Sequence, residues 1–451
     1  MPKYKKSLFI FRRDLRLEDN TGLVYALKNS DKVIPCFIID TEIMNGLKKS
    51  TLRIKFFNES LIDLDEQLHK KKSNLKIFKG RTEDCLKRII SEQKIDGVFV
   101  NGDYTRFAQK KEIQVKKICE QNNINFNKHA DYLLHIPDEI HTKEQKPYTV
   151  YSHFFKTAKT IPIRKPIKNN FNNYYQDKIK GDISLEFKEK NIEKHIGGRK
   201  NAIGILKKIK QFKEYKKTRD YPALNMTTKM SAHIRFGTVS IREVYHAIKN
   251  NLEEDHILIS QIYWREFFTY VLHHYPNSQF ESFKKKFAKI KWSQNKRQFL
   301  SWSKGETGFP IVDAGMRELN TTGFMHNRVR MIVASFLTKD LHINWKLGER
   351  YFAEKLTDYD PAVNVGNWQW AASTGCDAVP YFRIFNPWVQ QEKFDSNCRY
   401  IKKWISELNT VEPNEIHNLW RKQPNGLTYP KPIVDHKIES SRTKNIFKNQ
   451  K

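Results

Sequence analysis

Cysteines are few in this sequence and follow no pattern. Five of them lie far apart, with no CxxC pair and no spacing typical of metal ligands: Cys36, Cys85, Cys119, Cys376 and Cys398. This scatter excludes a disulfide framework, predicts no metal site, and is typical of free thiols in a reducing compartment. The apolar run at residues 7–11 is too short for a signal peptide, and no later run is long enough to cross a bilayer. We therefore expect a cytoplasmic protein without a membrane segment.

Two further absences divide the chain. The first part has no GxGxxG loop, the usual signal of a dinucleotide-binding fold. Tryptophan is missing from the same part, because all nine follow residue 263: Trp264, Trp292, Trp302, Trp345, Trp368, Trp370, Trp388, Trp404 and Trp420. A dinucleotide cofactor, and any chemistry that uses indole rings, therefore belongs to the second part of the chain.

Positive charge is abundant. The chain has 81 Lys plus Arg against 50 Asp plus Glu, a formal net charge of +31. Such a balance favours a polyanionic partner such as nucleic acid. A second reading is equally compatible with the charge: the richness in Lys, Asn and Ile is what AT-rich coding produces by itself.

The pattern of apolar residues predicts two domains. Short apolar runs at 7–11, 33–39, 75–78 and 97–100 alternate with amphipathic stretches near 51–70, 82–93 and 108–122. This alternation is typical of a doubly wound α/β domain, here predicted with a five-stranded parallel sheet. Amphipathic helical stretches dominate after Gly198 and predict an all-helical domain. The predicted ranges are 1–127 for the α/β domain, 128–195 for a linker, 196–440 for the helical domain and 441–451 for a C-terminal tail.

One segment combines acidic, amide and indole side chains within a short distance. Residues 344–387 read NWKLGERYFAEKLTDYDPAVNVGNWQWAASTGCDAVPYFRIFNP. Together with FRRDLRLEDN (11–20), TGFPIVDAGMRELNTTGFMHNRVRM (307–331) and YPKPIVDHK (429–437), it resembles the DNA photolyase and cryptochrome family. Within that family the sequence is most similar to photolyases that repair cyclobutane pyrimidine dimers.

The resemblance implies FAD bound by the helical domain. The implied cofactor-binding residues are Tyr215, Thr227, Thr228, Lys229, Met230, Ser231, Leu258, Asp358, Tyr359 and Asp360. Asn364 is implied to face the flavin N5, where a neutral amide brings no second negative charge to the reduced anionic ring. Taken alone, the hydroxyls of residues 227–231 and the two aspartates fit ordinary helix caps instead.

A row of tryptophans is implied to carry electrons to the flavin. Trp368, Trp345 and Trp292 match the three tryptophans of the family, in order from the flavin to the surface. Without the resemblance, a tryptophan at helical spacing is more often part of a core.

The resemblance also implies a cavity for a dimer that has flipped out of the DNA duplex. The implied DNA-binding residues are Arg219, Gln261, Trp264, Arg265, Asn327, Arg328, Met331, Trp370 and Gln390. Relatives that repair the (6–4) photoproduct carry histidines where Asn327 and Met331 stand, so the cyclobutane dimer is the predicted substrate. Gln261 departs from the usual glutamate; it can share a hydrogen bond with a pyrimidine but cannot carry a charge.

The expected function is light-driven repair of pyrimidine dimers in DNA by a monomeric lyase. The alternative is a cryptochrome-like blue-light photoreceptor with the same fold and flavin. A tightly held folate antenna is not expected, because the family's polar folate ligands are replaced by Phe107, Ala108, Gln279 and Phe280. A deazaflavin, no second chromophore, or weakly held folate all stay open for the sheet domain.

Overall fold

The computed structural model describes residues 2–43, 50–180, 183 and 196–450. Its five strands are β1 (Tyr4–Phe11), β2 (Ser30–Asp40), β3 (Lys76–Gly80), β4 (Gly97–Asn101) and β5 (Asn125–His129). The helices of the first half are α1 (Thr21–Asn29), α2 (Thr51–His69), α3 (Thr82–Gln93), α4 (Arg106–Gln121), α5 (Tyr151–Ala158), α6 (Arg199–Lys207), α7 (Tyr215–Thr218), α8 (Ser231–Phe236), α9 (Ile241–Asn251) and α10 (Ile257–His274).

The second half is helical throughout. Its helices are α11 (Lys296–Lys304), α12 (Pro310–Thr322), α13 (Asn327–Ser335), α14 (Trp345–Lys355), α15 (Pro361–Ala371), α16 (Pro387–Phe394), α17 (Arg399–Trp404), α18 (Pro413–His417) and α19 (His436–Lys448). A five-residue π-helix, Phe336–Asp340, follows α13 directly. Across the described residues, no helix is both long and apolar enough to cross a membrane.

The chain forms two compact units. Unit 1 comprises residues 1–148, 152–213 and 228–273; unit 2 comprises residues 149–151, 214–227 and 274–451. These units differ from the predicted domain ranges, because most of the predicted linker and helices α6, α8, α9 and α10 group with the sheet, whereas α7 belongs to unit 2. The predicted tail also lies largely within α19, which Asp435 caps and which buries Thr443 and Phe447. Eight of the nine tryptophans belong to unit 2; Trp264 belongs to unit 1.

The sheet of unit 1 is fully parallel, with strand order β3-β2-β1-β4-β5. Both of its faces are covered, and the alternation of side chains along β1 shows how. Phe9 and Phe11 pack in one apolar cluster, whereas Leu8 and Ile10 pack in the other. Strands with two buried faces read as continuous apolar runs, which is why the runs at 7–11, 33–39, 75–78 and 97–100 predicted four strands correctly.

A buried ion network lies in unit 1. The carboxylate of Asp131 accepts hydrogen bonds from Arg16 at 2.5 Å and from Arg242 at 2.7 Å. Arg242 also donates to Asp19 at 2.8 Å. Burial by itself raises the pKa of Asp131, but the two guanidinium groups more than offset this and hold that pKa well below its usual value.

Within unit 2, the last helix, α19, contacts the π-helix and the residues that follow it directly. His436 pairs with Asp340 at 2.5 Å, and Glu439 pairs with His342 at 2.5 Å. Thr443 adds a hydrogen bond from its hydroxyl to a backbone carbonyl of the π-helix. These contacts hold α19 against the core of unit 2.

Candidate functional site

The three predicted electron-transfer tryptophans lie together in unit 2. Trp345 begins α14, Trp368 lies on α15, and both are buried in one apolar core, with exposures of 1% and 2%. Trp292 is half-buried and packs against the same core. The inner two tryptophans are thus shielded from water, and the third is partly accessible; their electron-transfer role stays a prediction.

Gly348 allows α14 to approach Trp368 closely. A Cβ atom at this position would lie under 3.0 Å from two ring carbons of Trp368 and 2.6 Å from a methyl group of Leu337. Real Cβ atoms do not make such contacts, so only glycine fits here. Gly348 therefore lets α14, the helix that begins at Trp345, pack directly against the Trp368 ring.

Asn364 is held by its amide nitrogen. Its Nδ2 donates to the backbone carbonyl of Glu349 at 3.1 Å and to the Glu349 carboxylate at 3.0 Å. Among the residues that the structure describes, Oδ1 of Asn364 accepts no hydrogen bond. Glu349 thus fixes the orientation of the amide and leaves an acceptor for a ligand. Burial raises the pKa of Glu349.

The two predicted flavin aspartates do different things. Asp360 caps α15 by accepting from the backbone N–H groups of Ala362 and Val363 at 3.0 and 3.3 Å. Asp358 pairs with Arg330 at 3.0 Å. The helix-cap alternative is therefore correct for Asp360 and not for Asp358. Tyr359, between them, donates to Glu349 at 3.4 Å and so joins the group around Asn364.

Several predicted DNA-binding residues also lie in unit 2. Asn327 is exposed at the start of α13, with its Nδ2 4.0 Å from the sulfur of Met331. Trp370 is half-buried against the main core of unit 2. Oε1 of Gln390 is buried, and it has no hydrogen-bond partner within the described part of the chain. Arg219 and Arg328 converge on a neighbouring carboxylate that is described below.

The predicted phosphate-binding segment runs across the unit boundary. Tyr215 and Thr227 belong to unit 2, and Thr228, Lys229, Met230 and Ser231 belong to unit 1. Met230, the N-cap residue of α8, makes no side-chain cap hydrogen bond, but its backbone N–H donates to the hydroxyl of Thr228 at 3.4 Å. The backbone at Lys229 adopts a left-handed conformation (φ 54°) just before that helix. Thr228 is thus engaged by the backbone at the start of α8, and the ligand role of this segment stays a prediction.

Helix α10 carries the remaining predicted residues. Leu258 is buried, whereas Gln261 and Trp264 are half-buried, and the Trp264 ring lies 5.6 Å from that of Phe268. Arg265 is held in place by three contacts. It donates hydrogen bonds to Glu266 at 2.9 Å and to the backbone carbonyl of Tyr132 at 3.1 Å. Its guanidinium carbon lies 3.9 Å from the centre of the Tyr132 ring.

Comparisons with known proteins indicate one family over almost the whole chain. Family models described as "FAD binding domain of DNA photolyase" and "DNA photolyase" match residues 258–449 and 7–169. Curated relatives named deoxyribodipyrimidine photo-lyase include one from Buchnera aphidicola, 37% identical over 98% of this chain and 97% of its own length. Another, from Alkalihalophilus pseudofirmus, is 34% identical over 97% of each chain. The chain belongs to the DNA photolyase family.

Solved photolyase structures share the fold. An archaeal photolyase from Sulfolobus tokodaii, crystallised with two FAD molecules, is 40% identical, with a TM-score of 0.89 over 98% of this chain and 100% of its own. A bacterial class III photolyase from Agrobacterium tumefaciens is 32% identical, with a TM-score of 0.91 over 99% and 98%. The predicted fold class is confirmed, and the cofactor of this photolyase domain is FAD.

Donors and acceptors in unit 2 fit a flavin. Asn364 presents an oriented acceptor, and the charge of Asp358 is offset by Arg330, which lies 3.0 Å away. The positions that replace the photolyase folate ligands offer little polarity by comparison. Phe107 and Phe280 are exposed, Ala108 is buried, and Gln279 is half-buried.

Sequence reasoning missed three residues that the structure places against predicted site residues. Glu349 and Arg330 position Asn364 and Asp358, and Asp220 pairs with two predicted DNA-binding arginines. For two of the three, the spacing in the sequence to a predicted residue could have indicated their position. Glu349 follows Trp345 by four positions, and Arg330 follows Asn327 by three, so each shares a helix face with a predicted residue.

Proposed function

We propose that this chain repairs cyclobutane pyrimidine dimers in DNA, using light absorbed by bound FAD. The observation that carries the proposal is the pairing, in unit 2, of an oriented amide at Asn364 with a buried-to-surface series of tryptophans. Near full-length relatives named deoxyribodipyrimidine photo-lyase support the same reaction. When bound and reduced, FAD supplies the photoexcited electron that opens the cyclobutane ring.

Asn364 and Glu349 prepare the place of the flavin. Because Glu349 accepts both interactions of the amide nitrogen, Oδ1 of Asn364 is available only as an acceptor. An acceptor at this place stabilises a protonated N5, and a neutral amide does not repel an anionic ring. Burial keeps this arrangement out of water, where the hydrogen bond would be weaker.

Trp368, Trp345 and Trp292 form the route by which the buried cofactor is reduced from outside. The inner two indoles are almost fully buried, and Trp292 is accessible to a soluble reductant. A route of this kind reduces the cofactor without opening the protein to water. Its role is in activation, so repair by an already reduced enzyme does not depend on it.

Unit 2 also provides groups for the DNA. Arg219 and Arg328 would contact phosphates, which gives affinity with little sequence information. The exposed amide of Asn327 can pair with a pyrimidine edge, and the Trp370 face offers a flat apolar surface to an extruded base.

The test is repair of a defined lesion. Protein reconstituted with FAD and chemically reduced is mixed with a duplex that carries one thymine dimer, and restored thymines are counted in the light and in the dark. We expect restoration only in the light. Yellow protein that binds FAD and restores no dimers would favour the cryptochrome-like alternative, and protein that does not retain FAD would contradict both functions.

We also propose that unit 1 does not hold folate tightly, since Phe107 and Ala108 offer no side-chain polar ligands. The relative from Sulfolobus tokodaii contains two FAD molecules. Extraction of chromophores from purified protein, with FAD counted per chain, separates a second flavin from a deazaflavin or from no second chromophore. Folate recovered at one per chain after gel filtration would contradict the proposal.

A further inference from the structure

Two of the proposed phosphate-binding arginines converge on one carboxylate. Nη2 of Arg328 lies 2.8 Å from Oδ1 of Asp220, and Nε of Arg219 lies 3.8 Å from the same oxygen. The side chains remain partly accessible, with exposures of 17% for Arg328, 22% for Arg219 and 33% for Asp220. An external anion can therefore reach the same donors.

Each arginine has a second support that does not involve Asp220. The guanidinium carbon of Arg328 lies 4.4 Å from the ring centre of Phe394, and that of Arg219 lies 5.8 Å from the ring centre of Tyr215. Stacking of a guanidinium on an aromatic face holds its position and leaves its N–H groups available. Each arginine thus has a contact besides Asp220 that helps to hold its position.

The donors near Asp220 differ in how they are engaged. Nε of Arg328 is buried and has no hydrogen-bond partner among the described residues. Arg219 approaches Asp220 through its Nε, at 3.8 Å. His326 nearby adds no charge, because burial lowers its pKa to about 4. Nζ of Lys393 lies 5.3 Å from the centre of the same Phe394 ring, so the groups around Asp220 carry a net positive charge.

We propose that Asp220 competes with DNA phosphate for Arg219 and Arg328 and thereby limits the affinity of this chain for DNA. Carboxylate and phosphate use the same guanidinium donors, so a phosphate must displace Asp220 or share the arginines with it. This competition weakens binding to intact and to repaired DNA and speeds release. The inference rests on the proposed function, because it assumes that these arginines face DNA.

The test compares Asp220→Asn with Asp220→Glu in the full-length protein with FAD bound. The asparagine variant keeps the shape and removes the charge, whereas the glutamate variant keeps the charge. Equilibrium dissociation constants are measured for an undamaged duplex and for the same duplex with one thymine dimer, at several salt concentrations. We expect Asp220→Asn to bind both duplexes on the order of three- to ten-fold more tightly near 0.1 M salt. We expect its salt dependence to steepen by about one phosphate contact, and Asp220→Glu to behave like the wild type.

Weaker or unchanged binding by Asp220→Asn would overturn the proposal, since Asp220 would then only hold the arginines in position. Equal changes in both variants would also overturn it, because the effect would not follow charge. Thermal midpoints of both variants identify loss of folding. Failure of the proposed function is a separate result: the wild type itself would then show no preference for the damaged duplex.

Discussion

Gly348 offers the sharpest test of how the tryptophan series is built. Replacing it with alanine places a methyl group inside the contact distance of Trp368 and Leu337, which are 2% and 0% exposed. Overpacking of this kind costs about 1–3 kcal/mol, and the upper part of that range applies because both neighbours are enclosed. Alanine has a higher helix propensity than glycine, and this difference offsets about 1 kcal/mol of the cost. We expect Gly348→Ala to lower the free energy of unfolding by about 2 kcal/mol.

Gly204 is a matched control on α6. A methyl group there meets no atom within 4 Å, so Gly204→Ala gains helix propensity without overlap. We expect this variant to be stabilised by about 0.5–1 kcal/mol, the opposite sign to Gly348→Ala. The measurement is chemical denaturation followed by circular dichroism.

A second readout concerns Trp368 itself. Displacement of its ring should slow light-driven reduction of bound FAD by an external reductant in Gly348→Ala and leave the rate unchanged in Gly204→Ala. If Gly348→Ala is as stable as Gly204→Ala and photoreduces FAD at the wild-type rate, the close approach of α14 to Trp368 is not a constraint, and the reasoning is refuted.

Three other changes have defined outcomes. Trp345→Phe should abolish photoreduction of oxidised FAD and retain dimer repair by the chemically reduced enzyme. The control Trp420→Phe, at a half-exposed surface indole, should alter neither activity. Loss of repair in Trp345→Phe would contradict the assigned route. Asp131→Asn leaves the buried Arg16 without its close charge partner, whereas Arg242 keeps its pairing with Asp19, and the change should cost about 3 kcal/mol in denaturant unfolding. Burial raises the pKa of Glu266 from 4.5 to about 7, so between these values the folded state keeps a proton that the unfolded state loses. Stability should therefore fall as pH rises through this window, and Glu266→Gln should flatten that slope; an unchanged slope would exclude Glu266 as its source.

The sequence predicted elements whose signal is local. Apolar runs identified four strands because both faces of the sheet are covered. The fifth strand, Asn125–His129, reads NFNKH and is partly exposed, so it lacks such a run. The sequence did not predict helix α5, which lies inside the predicted linker. The helix is short, with Phe154 and Ala158 as its buried residues, and the surrounding segment is rich in Lys, Asn and Pro, so it showed no sustained period.

The site was predicted from family resemblance, and its supporting residues were not. Glu349 matters because α14 places it against Asn364, which lies 15 positions away on another helix. Asp220 matters because it meets Arg328, which is distant in sequence. Such pairings depend on helix packing, which composition and periodicity do not encode.

The uneven placement of tryptophan has a practical consequence for measuring folding. With eight indoles in unit 2 and only Trp264 in unit 1, the intrinsic tryptophan emission of the FAD-free protein reports mainly on unit 2. Unfolding of the sheet would change this emission very little. A difference between emission and far-ultraviolet ellipticity midpoints would reveal that the two units melt separately, without any added label.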